Sequence, residues 1–216
     1  MIKAVIFDMD GTLVDTLTDL THLVNLTLRR FGRREISRDA VRRFTGDGAK
    51  SLIERSLRES GDTSRFDEIF TSYSEAYNAC PIYKLAPYDG IPEALAALRA
   101  RGVRLAVLTN KPQGPALAIV EKFFPGIFDI VQGDDGRHAL KPDPAAALDI
   151  LPRLGASRAE AAFVGDSSID VRTGVAAGLY TVGVTWGFRD RADLEQNGAS
   201  VILDDPRDLP AALTEV

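Results

Sequence analysis

Residues 2–15 read IKAVIFDMDGTLVD. Ile2, Ala4, Val5, Ile6 and Phe7 make a nearly unbroken apolar run of strand length, the pattern of a strand buried on both faces of a parallel sheet. Asp8 and Asp10 follow at once. Two apart in extended backbone, they project on one side, and Gly11 permits a sharp turn directly after them. Ligands of open α/β sheets bind outside the carboxyl ends of the strands. One Asp before a glycine would read as a helix cap or a solvated strand end, but a pair at a strand tip reads as a site.

The whole chain sets limits around that stretch. Its 216 residues suffice for one good core, or for one core carrying a second small one. A net charge of -5 argues against a nucleic-acid partner, whose phosphates require a basic surface. It leaves small anions open, because local dipoles and one or two cations hold a phosphate. The one cysteine, Cys80, has no internal disulfide partner, which fits a reducing compartment, and is read as a small buried hydrophobe. No apolar run reaches the ~18 residues of a membrane span, and Asp8 interrupts the first run too early for a signal peptide. The expectation is a soluble, cytoplasmic protein with no nucleic-acid or membrane partner, either a monomer or a homodimer.

Along the chain the period changes twice. Leu17, Leu20, Val24, Leu28 and Phe31 fall at three- and four-residue steps, the stripe of an amphipathic helix closed near Gly32. Ser37 is placed to cap a short helix carrying Val41 and Phe44. Leu52, Ile53 and Leu57 mark a third helix ending at Gly61, and Phe66, Ile69, Phe70, Tyr73 and Tyr77 a fourth ending before Pro81. Residues 16–80 therefore read as a helical insert without strands. Beyond it, helices alternate with strands at 103–108, 128–131, 161–164, 180–184 and 201–203, and Pro152 is expected to end its helix early. That order predicts an α/β fold: a doubly wound, parallel-sheet Rossmann-like core from residues 1–15 and 81–216, with an inserted all-helical cap domain at 16–80.

Each later strand end delivers a polar residue suited to phosphoryl transfer. Asp8 is the candidate nucleophile: an unperturbed Asp is ionised at neutral pH, and carboxylates form aspartyl-phosphates. Attack by an anion on a charged phosphoryl group needs donors and positive charge aimed at the phosphoryl oxygens. Lys141, in a Lys-Pro-Asp-Pro run, is the candidate cation, and Thr109 and Asn110 the candidate neutral phosphate ligands; a solvated lysine and a helix cap are the plain alternatives. Asp166 and Asp170 of Gly-Asp-Ser-Ser-Ile-Asp, four apart, read as stacked on one helix face, either as capping acids or, with Asp8, as oxygen ligands for Mg2+. There is no Cys or His cluster suited to zinc. Asp10 is assigned as general acid and base for the leaving group, its backbone carbonyl facing the metal. The Gly46 to Lys50 turn is the candidate for the part of the cap that meets the leaving group. Lys50 either pairs with a substrate carboxylate or is a solvated lysine at a helix start.

Asp8 to Leu13, Thr109-Asn110, Lys141 and Gly165 to Asp170 together resemble, in order, the four motifs of the haloacid dehalogenase superfamily, over nearly the whole chain. That resemblance implies Asp8 as the phosphorylated residue, Asp10 as acid and base, and Thr109 and Lys141 as phosphate ligands. It further implies Asp8, the Asp10 carbonyl and Asp166 around Mg2+, Asp170 acting directly or through water, and a small phosphorylated metabolite as substrate. Thr109-Asn110-Lys111-Pro112, Thr45-Gly46-Asp47-Gly48 and the run from Gly183 to Arg189 are most similar to the phosphoglycolate phosphatase branch. Related phosphatases, pyrophosphatases and β-phosphoglucomutases share the four motifs. A haloalkanoate dehalogenase has no need of Asp10 or the Asp166-Asp170 pair, and a phospho-Asp receiver module is half this length.

Overall fold

The computed structural model describes residues 1–213. In chain order its elements are strand β1 (Ala4–Phe7), a short strand β2 (Val14–Asp15), and the helices α1 (Leu17–Arg30), α2 (Arg38–Phe44), α3 (Gly48–Ser60) and α4 (Phe66–Ala79). Then come β3 (Ala86–Pro87), α5 (Ile91–Ala100), β4 (Arg104–Pro112), α6 (Gln113–Phe123), β5 (Ile130–Asp134), α7 (Ala145–Arg153) and β6 (Ala161–Gly165). The chain closes with α8 (Ser168–Ala177), β7 (Tyr180–Val184), α9 (Arg191–Gln196), β8 (Val201–Leu203) and α10 (Leu209–Ala212).

Six strands form one parallel sheet in the order β5-β4-β1-β6-β7-β8. Counting only its own members, that is the doubly wound 3-2-1-4-5-6 order, whose direction reverses between β1 and β6. All four β1 residues are buried, as a strand covered on both faces must be. Val5 and Phe7 pack with residues of α5 and α6 on one face; Ala4 and Ile6 pack with residues of α7 and Phe163 on the other. Asp8, next in that alternation, emerges on the side of Ala4 and Ile6.

The helices α1–α4 form the cap around a second core that includes Leu20, Val24, Leu28, Ile53, Leu57, Ile69 and Tyr73. Ser37 caps α2 by accepting from the Ala40 N–H at 3.1 Å, as its position predicts. Phe188, from the loop after β7, is buried in this cap core rather than in the sheet's own. The two crossings between cap and sheet meet as a small antiparallel ribbon, Val14 opposite Pro87 and Asp15 opposite Ala86. Two-residue strands carry no readable period, and the sequence pattern gave no sign of this ribbon.

Four local expectations change. β4 runs on through Thr109, Asn110 and Lys111 to Pro112, with a register shift after Leu108, so the polar triplet lies in the strand. β5 starts at Ile130 because Phe128 turns inward, edge-on to Phe7 and Phe124 with centroids 6.3 and 5.8 Å away. Asp129 meanwhile accepts from the Leu105 N–H at 2.9 Å. α7 passes through Pro152 and ends one residue later, because a proline in the last turn removes a single bond. Cys80 is exposed, at the C-cap of α4 where the chain leaves the cap.

Candidate active site

The switch point of the sheet gathers the predicted acids. Asp8 lies at the tip of β1, its N–H donating to the Val164 carbonyl of β6 at 2.9 Å. Asp166 lies one residue beyond β6. Its Oδ1 accepts from the Thr12 hydroxyl at 3.2 Å and its Oδ2 from the Phe188 N–H at 2.7 Å. Asp166 precedes α8, so it does not share a helix face with Asp170 as the spacing suggested. Asp170 instead closes a capping box, its Oδ2 accepting from the Ser167 hydroxyl at 2.6 Å and N–H at 3.1 Å. Carboxylate oxygens of Asp8, Asp166 and Asp170 all lie within 4.8 Å of one another, and all three residues are buried.

Lys141 binds this cluster together. Its Nζ donates to Asp8 Oδ1 at 2.7 Å and to Asp170 Oδ1 at 2.6 Å, and the residue is 5% exposed. Its backbone is fixed by the Asn110 side chain, which accepts from the Lys141 N–H at 2.8 Å and donates to the Lys141 carbonyl at 3.0 Å. Asn110 also donates to the Gly46 carbonyl of the cap at 2.9 Å. The amide predicted to bind phosphate is thus occupied in tying three segments together. Thr109, buried at the cavity wall, accepts from the Lys111 N–H at 3.3 Å.

Two close approaches require glycine. A Cβ on Gly11, whose φ is +88°, would sit 2.3 Å from Asp166 Oδ2. On Gly165 it would sit 2.2 Å from the Asp170 Cβ, so the strand tip and the first turn of α8 can pack only without a side chain there.

The electrostatics differ from what the isolated motif suggests. Burial, then the neighbouring Asp170 charge, push the Asp8 carboxyl from 3.8 up to about 7, against the pull of Lys141. Asp166 is likewise held well above the ordinary range by burial and by the Asp170 and Asp8 charges. Burial opposes the charge on Lys141, but the two carboxylates outweigh it and raise its pKa. Asp8 therefore does not ionise freely, and the protein's own cation is not enough to make it do so. Three clustered, buried carboxylates, with Asp8 and Asp166 held above their normal range, are the donor set for a hard divalent cation, which favours the ionised forms.

The cavity above these residues is closed by the cap. Leu20, Thr45, Gly46, Gly48, Ala49, Leu52, Tyr73 and Tyr77 line it from that side; Asp8, Asp10, Thr109, Asn110, Lys111, Lys141, Asp166, Asp170 and Arg189 are among its core residues. Gly46 is at the cavity as expected, but Lys50 is not. It is exposed, in a separate surface hollow with Glu54, Arg58 and Asp67. The cation that does enter is Lys111, 5% exposed, whose Nζ is 3.0 Å from Asp10 Oδ2 and hydrogen-bonded to the Tyr77 hydroxyl. Asp10 Oδ1 and the Tyr73 hydroxyl are buried without a partner among the described residues. The signal for Lys111 was present: it stands two residues after Thr109, the spacing that places Asp8 and Asp10 together. Tyr73 and Tyr77 were read only as members of the apolar stripe.

Arg189 fastens the cap to the core, donating to the carbonyls of Arg42, Arg43 and Thr45 at 2.8, 3.2 and 2.7 Å. Arg42 answers by donating to the Phe188 carbonyl at 2.7 Å. Among the described residues no helix is long and apolar enough to cross a membrane.

A family model described as haloacid dehalogenase-like hydrolase matches residues 5–184. The phosphoglycolate phosphatase of Rhodospirillum rubrum is 39% identical over 215 residues, spanning 95% of this chain and 88% of its own length. Phosphoglycolate phosphatase 1 of Pseudomonas aeruginosa is 34% identical across 96% of this chain and 78% of its own. The crystal structure of a predicted phosphoglycolate phosphatase from Haemophilus somnus is similar at a TM-score of 0.91 with 28% identity, covering 98% of this chain and 97% of that one.

Proposed function

We propose that this chain, which belongs to the haloacid dehalogenase-like hydrolases, is a Mg2+-dependent phosphatase whose foremost substrate is 2-phosphoglycolate, hydrolysed to glycolate and phosphate. The observation that supports this most strongly is Lys141, whose ammonium reaches both Asp8 and Asp170 within a cluster of three carboxylates at the switch point. Asp8, Asp166 and the Asp10 backbone carbonyl would hold the ion, with Asp170 beside them. When bound, it supplies positive charge that keeps Asp8 ionised and offsets the charge on the phosphoryl oxygens.

An ionised Asp8 Oδ attacks phosphorus as the ester P–O bond breaks. Lys141 and the Thr109 hydroxyl donate to the phosphoryl oxygens, whose charge they are placed to offset. Asp10 gives its proton to the departing alkoxide oxygen, then takes one from the water that attacks the aspartyl-phosphate, which releases phosphate and regenerates Asp8. The cap excludes other water during these steps. The relatives' activity and the small cavity both favour a two-carbon leaving group. Room for water-sized occupants totals about 50 Å³, and each water needs ~10–15 Å³ on that measure.

The test is phosphate release from a panel of 2-phosphoglycolate, sugar phosphates, nucleotides and pyrophosphate, with Mg2+ or excess EDTA. 2-Phosphoglycolate should lead by kcat/KM. Activity in EDTA, or turnover by Asp8→Asn, would refute the mechanism. A different leading substrate would refute the assignment while leaving the chemistry intact.

A further inference from the structure

Lys111 Nζ has three donors, and its contacts among the described residues are Asp10 Oδ2 at 3.0 Å and the Tyr77 hydroxyl. One N–H is left, inside the cavity. Tyr73 lines the same cavity and is 1% exposed, and its buried hydroxyl has no partner among the described residues. Burial, with the nearby Tyr77, holds its pKa well above normal, so it remains a donor. A buried donor without an acceptor destabilises the site, and a ligand oxygen would relieve that. A third feature lies at the start of α3. Its N-cap residue, Asp47, makes no capping hydrogen bond, because its carboxylate pairs with Arg55 at 2.5 Å. Gly48 and Ala49, at that uncapped and partially positive end, line the cavity.

Building on the phosphatase reading, we infer that Lys111, Tyr73 and the start of α3 form a carboxylate subsite for the leaving group, selecting phosphate esters of α-hydroxy acids. Three kinds of donor converging on one small space match a group with several acceptor lone pairs and a negative charge, which a carboxylate has and a hydroxyl lacks. Lys111 and Asp10 are in direct contact, so they address neighbouring groups of the substrate: Asp10 the ester oxygen, Lys111 the carboxylate. In an α-hydroxy acid ester those two groups sit on the same carbon. A carboxylate one carbon further away, as in 3-phosphoglycerate, spans more than that contact allows. Lys111 thus takes the part that the sequence pattern offered to Lys50.

The experiment measures kcat/KM for 2-phosphoglycolate, 2-phospholactate, 3-phosphoglycerate and 2-hydroxyethyl phosphate, the last carrying a neutral hydroxymethyl where the first has its carboxylate. Wild type, Lys111→Met and Tyr73→Phe are compared, each checked by thermal melting. Wild type should favour an α-hydroxy acid ester over 2-hydroxyethyl phosphate and 3-phosphoglycerate. Lys111→Met should lose about 10- to 100-fold on the α-acids and much less on 2-hydroxyethyl phosphate, so the preference collapses. Tyr73→Phe, which leaves Asp10's partner in place, should lose several-fold on the acids alone, and it decides the matter should Lys111→Met fail to fold. Equal losses on all four esters would overturn the inference, because Lys111 would then act only by positioning Asp10. A preference for 2-phosphoglycolate that survives in both variants would overturn the subsite and leave the proposed function standing. If 2-phospholactate leads and both variants erase its advantage, the subsite stands and the 2-phosphoglycolate assignment falls.

Discussion

Stripping the divalent ion should make this protein less stable as the pH rises, the reverse of what ordinary carboxylates produce. Asp8 goes from 3.8 in the unfolded chain to about 7 in the folded one. Between those values the native state keeps a proton that the unfolded state has released, so unfolding free energy falls with pH. The raised carboxyl of Asp166 acts in the same direction. Lys141, raised from 10.5, adds no slope below pH 9, because it is protonated in both states. At 1.36 kcal/mol per pK unit, Asp8 alone removes about 4 kcal/mol over its whole titration, of which about 3 falls between pH 5 and 8. For a chain of this size each kcal/mol moves Tm by ~2–4 °C, giving a drop of roughly 6–12 °C. Mg2+ bound to the ionised carboxylates, as proposed above, should cancel this, with a stabilisation larger at pH 8 than at pH 5. Thermal melts from pH 5 to 8, in EDTA and in Mg2+, measure both, and Asp8→Asn should flatten the EDTA series. An EDTA series that is level or rises over this range, or a Mg2+ shift independent of pH, would refute the reasoning.

Other perturbations act on separate parts of the same site. Asp8→Asn should retain the fold and lose about 10⁴-fold or more in kcat, the scale on which removal of a nucleophile acts. Lys141→Met leaves Asp8 and Asp170 buried without their shared ammonium; urea unfolding in EDTA should show a loss of about 3–5 kcal/mol, partly recovered in Mg2+. Gly165→Ala places a methyl 2.2 Å from the Asp170 Cβ, so α8 must shift, and kcat should fall at least about 10-fold together with Tm. Arg189→Ala removes the three carbonyl contacts that hold the cap; KM for small esters should rise about 5- to 20-fold, with near-normal secondary structure by circular dichroism.

The sheet was legible because its strands are buried on both faces, which leaves apolar runs ending abruptly on Asp8, Thr109 and Asp166. Those same endings supplied most residues of the candidate site, since two-residue spacing fixes the side on which a strand residue emerges. Lys50 went astray because a helix turns 100° per residue. Ala49 and Leu52 line the cavity, and the two residues between them in sequence, Lys50 and Ser51, do not. Sequence could not reveal that Asn110 is engaged by Lys141 and Gly46, or that Lys111 pairs with Asp10, because partners 31 to 101 positions apart depend on how strand tips and cap meet. Nor could it give the ionisation of Asp8, which depends on burial and on Asp170.

The two-residue ribbon of Val14–Asp15 with Ala86–Pro87 fixes how the chain departs from the sheet and returns to it. Paired antiparallel backbones lie about 5 Å apart, so whatever is spliced between them begins and ends at almost one point. The splice point itself therefore sets no limit on the length of the inserted module. Beyond this joint the two parts meet through side chains, Asn110 on Gly46, Lys111 on Tyr77 and Arg189 on the carbonyls of Arg42, Arg43 and Thr45, so an exchanged module has to restore those contacts and not the splice itself.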